Sequence, residues 1–124
     1  MLALCATCLL DPPAGALSPS AAEQLQIFAT CTGRYSAIME HEWLMGRDGT
    51  QARESRALFL SLLESVRDDA PLPGHRLLDL RITAKHAFAA LLRAADLGTD
   101  PVRARRARAV AHNQMGLCRA LLLS

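Results

Sequence analysis

Four cysteines, four histidines and a scatter of carboxylates and cations are the groups through which this chain could do chemistry. Cys5 and Cys8 lie inside the apolar run Leu2 to Leu10, and Cys31 and Cys118 lie in the body of the chain. Cys5-Ala6-Thr7-Cys8 has the spacing of a redox pair or of half a zinc site. No strand–helix–strand pattern surrounds it, and no second such pair or His pair completes four ligands. A lipid-anchored cysteine is not expected either, because Leu4 and Thr7 stand where a small residue would precede the Cys.

The histidines do not converge. Glu40-His41-Glu42 resembles a ligand cluster, but consecutive helical residues point about 100° apart. A carboxylate-bridged di-iron bundle needs Glu-x-x-His on two helices. No Glu here is followed by His at that spacing, and there is no His-x-x-x-His pair. No metal, haem or other cofactor is therefore expected. Gly-rich phosphate loops and Gly-x-Ser-x-Gly elbows are also missing, and the chain does not read as an enzyme. What remains is a set of polar residues that interrupt apolar stripes: Glu42, Arg81, Lys85, Asn113 and Gln114. A lone buried charge costs several kcal/mol or so and seeks a partner. Glu42 is expected to pair with Lys85 or Arg81, with Asn113 or Gln114 nearby. Such a group could hold a small ligand, or could be a satisfied polar network that fixes helix register.

The elements that would position these residues are helices. The chain has 124 residues, 51% hydrophobic, 21% charged and 4% aromatic, with net charge +2. Ala and Leu supply 22 residues each, against 12 for Val, Ile and Thr together. That balance excludes an all-β fold and argues against disorder. Turn signals divide the chain into four helical segments. Ser18 or Ser20 caps the first, with Glu23 in capping-box position, and it runs to about Met45. Gly46-Arg47-Asp48-Gly49 breaks the chain, and Thr50 caps a second helix to about Asp69. Ala70 to Gly74 is the strongest break. A third helix runs from about His75 to Leu97, with Gly98 as its left-handed terminator. Thr99-Asp100-Pro101 opens a fourth, to about Leu122.

The apolar stripes are expected at Leu25, Phe28, Thr32, Tyr35, Met39 and Glu42 on the first helix. On the third they fall at Leu78, Ile82, Lys85, Ala89 and Leu92. On the fourth they fall at Ala107, Val110, Gln114, Leu117 and Leu121. Long helices with short connections predict an all-α, antiparallel up-down-up-down four-helix bundle over residues 18–124. Residues 1–17 read as a signal peptide, with Ala14-Gly15-Ala16 as the cleavage triplet, or as an apolar arm on the bundle. No Lys or Arg precedes Arg34, so the basic start of a signal peptide is missing and a cytoplasmic location stays open. Removal near Ala16 would leave Cys31 and Cys118, which this topology sets at similar heights. A disulfide between them would close a loop of 88 residues, counted from 31 to 118 inclusive, and could contribute up to ~4 kcal/mol.

The fourth helix carries Arg103, Arg105, Arg106, Arg108 and Arg119 and no acid. The first four wrap around the helix, and acids such as Glu23, Glu40, Glu54, Glu64, Asp68 and Asp69 can offset them. Without aromatic interleaving or helix-turn-helix spacing, nucleic-acid binding is not expected. No apolar run is long enough for an integral membrane segment.

Phe28 to Leu44 (FATCTGRYSAIMEHEWL), Arg81-x-x-x-Lys85 and Cys118 to Leu122 together resemble small exported helical proteins of alphaproteobacteria with no assigned function. The resemblance covers about half the chain. It implies export and pairing of Cys31 with Cys118, and it supplies no activity. The expectation is a periplasmic or secreted structural or protein-interaction module with an unknown protein partner, or a homo-oligomer. The alternative is a small-ligand-binding bundle with a polar site between the first, third and fourth helices.

Overall fold

The computed structural model describes residues 19–124. The apolar run with Cys5 and Cys8, and the signal-peptide or arm reading, lie outside the described residues. Four α-helices follow: α1 (Ala21–Leu44), α2 (Thr50–Val66), α3 (Gly74–Leu97) and α4 (Pro101–Leu123). One 3-10 turn, Arg67–Asp69, extends α2. Among the described residues there is no strand, and no helix is long and apolar enough to cross a membrane.

The helix ends follow local chemistry. Ser20 caps α1: its Oγ accepts from Glu23 N at 3.2 Å, and the Glu23 carboxylate accepts from Ser20 N at 3.2 Å. At the other end Gly46 takes φ +80°, a conformation that favours glycine. Gly46 N then donates to Trp43 O at 3.0 Å and Arg47 N to Glu42 O at 2.8 Å, the paired bonds of a Schellman turn. Two expectations need correction. Thr50 does not cap α2; Gly49 (φ +67°) is the capping residue, and the Asp48 carboxylate accepts from Thr50 N at 2.9 Å. Gly98 is extended, not left-handed (φ −73°, ψ 146°), because the chain proceeds at once to the next cap. There Asp100 Oδ1 accepts from Val102 N and Arg103 N at 3.0 and 3.3 Å, with Pro101 at the first helical position.

The helices form an antiparallel up-down-up-down bundle. α1 packs along both α2 and α3, and α4 lies against α3. α1 and α4 meet at Cys31 and Cys118, whose sulfurs are bonded at 2.05 Å with Cα atoms 5.7 Å apart. The predicted pair is therefore present. Around it lie Phe59, Phe88, Tyr35 and Met115, with a smaller cluster of Leu25, Ala29, Leu63 and Leu77 at one end. Phe59 stacks on Tyr35 at 5.7 Å between ring centroids.

α1 is buried on more than its expected stripe. Ala29, Gly33, Ser36, Ala37 and His41 are buried as well, because α1 has a neighbour on two sides. Small residues set the spacing. A Cβ on Gly33 would collide with the carbonyl oxygen of Arg81 and meet Ala84 Cβ at 3.0 Å, so α3 approaches α1 closely only because this residue is glycine. The buried hydroxyls are satisfied within the helix: Thr32 Oγ1 donates to Phe28 O at 2.7 Å, and Ser36 Oγ to Thr32 O at 2.9 Å.

The stripes expected on α3 and α4 are displaced by about one residue. α3 buries Leu77, Phe88 and Ala95, leaving Leu78 50% and Ile82 46% exposed. α4 buries Ala107, Ala111, Met115 and Cys118, while Val110 and Leu117 face outward. Two alanines, the cysteine and Met115 line the α4 seam, and the small side chains among them let the helices approach.

Candidate functional site

The five polar residues expected to meet are not in one place. Glu42 pairs with Arg47 instead of Lys85 or Arg81: Arg47 Nε and Nη2 donate to its two carboxylate oxygens at 2.5 and 2.8 Å. The Schellman turn explains this, since it folds residue 47 back over residue 42. The Arg47 guanidinium holds the Glu42 carboxyl below its ordinary range. Lys85 pairs with Glu40, Nζ to Oε1 at 2.5 Å. Asn113 is exposed beside Arg105, Arg108 and His112 on the outer side of α4. Gln114 is half-buried, and its backbone carbonyl accepts from Arg34 Nη1 at 2.7 Å. Burial lowers the affinity of the Arg34 guanidinium for its proton.

Arg81 and Lys85 do share a cleft. It has a volume of about 180 Å³ and opens over α1 between α2 and α3. Gly33 and Ser36 lie on its floor, Arg56 enters from α2, and Leu78, Arg81, Ile82 and Lys85 come from α3. Arg56 does not stand out in the sequence, where it is one of two arginines on α2. It is held in place by a 2.8 Å bond from its Nε to Ser36 Oγ. Among the described residues, neither Arg56 nor Arg81 forms an ion pair. Burial, and secondarily the positive charge of Arg56, hold the Arg81 guanidinium below its ordinary value. Three cations and one carboxylate therefore line the cleft, and the carboxylate is already taken by Lys85.

A second polar group lies next to the cleft, where α1 and α3 end and α4 begins. His41, buried on α1, is bonded through Nε2 to Asp96 Oδ2 of α3 at 2.8 Å. Arg108 of α4 approaches Asp96 Oδ1 at 3.6 Å and donates to Ala95 O at 2.8 Å. The bond to His41, and then Arg108, lower the Asp96 carboxyl from its usual range. This knot joins three helices, and His41 lines a cavity of about 280 Å³ together with Ala37, Glu40, Leu44, Ala89 and Arg93. The acid that offsets Arg108 comes from α3, not from the first two helices as expected. Among the described residues, no group of three or more His, Cys, Asp or Glu is arranged to hold a metal ion.

Comparison with known proteins gives no match to a family model, to a curated protein or to a solved structure.

Proposed function

We propose that the protein is an exported, disulfide-stapled helical bundle that acts as a protein-interaction module and not as an enzyme. One observation carries the interaction reading. Leu78 and Ile82, one helical turn apart on α3, are each about half exposed at the rim of the cationic cleft. Paired apolar side chains beside uncompensated charge suit a partner surface better than a solvated one. The periplasmic or secreted location is supported by the Cys31–Cys118 pair at bonding distance, since such bonds persist in oxidising compartments. The likeness of Phe28 to Leu44 and Cys118 to Leu122 to small exported proteins agrees with it. The small-ligand alternative, with a site between the first, third and fourth helices, has less support, because Glu42, Asn113 and Gln114 lie away from the cleft.

Site-specific photo-crosslinking in the producing cell tests this reading. A photoreactive residue at position 82 should give a discrete protein adduct, and one at position 105 on the outer side of α4 should not. No adduct at 82, or equal yield at both positions, counts against it. The intact mass of the same preparation tests export, by loss of the segment up to about Ala16 and by a deficit of two hydrogens.

A further inference from the structure

We propose that the cleft between Arg56 and Arg81 receives a carboxylate side chain from an acidic, amphipathic helical segment of a protein partner, whose apolar residues cover Leu78 and Ile82. This inference rests on the reading of the protein as an interaction module and names the chemistry of its partner.

Charge complementarity argues for this occupant. Arg56, Arg81, Lys85 and Glu40 are the charged residues lining the cleft, and Lys85 and Glu40 neutralise each other. Two guanidinium groups are left facing one space. Like charges brought together in a partly desolvated place oppose folding, and a carboxylate between them removes that cost. A guanidinium also offers the planar fork that binds a carboxylate through two parallel bonds. The site is prepared before the partner arrives: Ser36 fixes the Arg56 head. The close approach of α3 at Gly33 holds the Arg81 backbone against α1.

The neighbouring side chains make the acid part of a longer segment. Leu78, Ile82 and Lys85 follow steps of four and three along α3, one helix face. An incoming helix with Glu and Leu at the same spacing would lay Leu on Leu78 and Ile82 while Glu enters the cleft, which is the helix-in-groove mode of recognition. A cleft of about 180 Å³ is below the usual range of whole small-molecule pockets. It suits one side-chain head of a larger ligand.

The test uses the oxidised protein and a fluorescein-labelled helical peptide that repeats Glu and Leu along one face. Its controls are the same peptide with Gln for Glu, and succinate alone. The Glu peptide should bind saturably, at least about tenfold tighter than the Gln peptide, with an affinity that falls as salt rises. Arg81→Gln should erase the preference for Glu without lowering the melting temperature, since it removes a repulsion; a structural arginine would lose stability instead. Equal binding of the two peptides, no saturable binding, or a preference that survives Arg81→Gln overturns the proposal. Succinate binding as tight as the peptide also overturns it and assigns the cleft to free small acids. Crosslinking at position 82 that is unchanged by Arg81→Gln would sink this inference alone, whereas no adduct at 82 removes the module reading beneath it.

Discussion

α1 and α4 are nearly equal in length, at 24 and 23 residues, and the bundle holds them by different means. α1 lies between α2 and α3 and buries residues on more than one face, against whole aromatic rings such as Phe59 and Phe88. α4 touches the core along one narrow seam of Ala107, Ala111, Met115 and Cys118. Burial stabilises in proportion to apolar area, about 0.8 kcal/mol per methylene, so the two alanines contribute little and Met115 is the one large side chain buried on this seam. Other ties make up the difference. Near its C-terminal half α4 is bonded covalently to α1, and Arg34 reaches its Gln114 carbonyl. Near its N-terminal half Arg108 grips Asp96 and Ala95 of α3. One helix is held by packing and the other by cross-links, and the two should fail differently.

Removing the disulfide gives the largest expected effect on that contrast. The Cys31→Ala/Cys118→Ala pair should lose up to ~4 kcal/mol by urea titration. Amide exchange should then accelerate across residues 101–123 well before it does across 21–44. Uniform acceleration would show that α4 is not separately held. Gly33→Ala attacks the packed side. The new methyl gains helix propensity but collides with the Arg81 carbonyl, and overpacking of this kind costs about 1–3 kcal/mol. Unchanged or raised stability would mean that the α1–α3 spacing adjusts freely.

Asp96→Ala, the smallest of the three, unties the opposite end of α4. It should cost about 1 kcal/mol at neutral pH, at the low end for a hydrogen bond to a buried partner because the carboxylate is partly solvated. The pH dependence has a defined sign. His41 and Arg108 place the folded Asp96 value below that of the unfolded chain, near ~3.9. Its contribution is therefore complete above the unfolded value and is lost as pH falls through the folded one. The difference in stability between wild type and variant should shrink from about pH 5 downward. A difference that stays constant to low pH would remove Asp96 from the account.

Much of the fold was legible because its signals are local. The Ser20–Glu23 cap, the Gly46 terminator and the Asp100-Pro101 start are each decided within a few residues. The disulfide was legible because antiparallel topology sets two distant cysteines level. The inward faces of α3 and α4 were not. Periodicity selects Leu78 and Leu117, whereas the structure buries their neighbours Leu77 and Cys118. The partner of Glu42 was illegible for a related reason: a buried charge suggests a partner across the bundle, while Arg47 lies five residues away around a turn. Gly33, a glycine inside an otherwise strong helical stretch, was the overlooked cue to the α1–α3 contact. Arg56 carries no cue at all in one dimension; only its bond to Ser36 distinguishes it from the other arginines.

The staple also decides how the molecule would respond to tension. Its two cysteines are 87 positions apart, so they and the residues between them form a closed covalent ring. A pull on the two chain ends would travel along the first turns of α1, across the sulfur bridge and out through the last residues of α4. α2, α3 and the cleft between them would lie off the line of force, and their contour length could not be drawn out while the bridge is intact. Stretched one molecule at a time, the oxidised protein should lengthen by only its terminal segments, and reduction should release the rest.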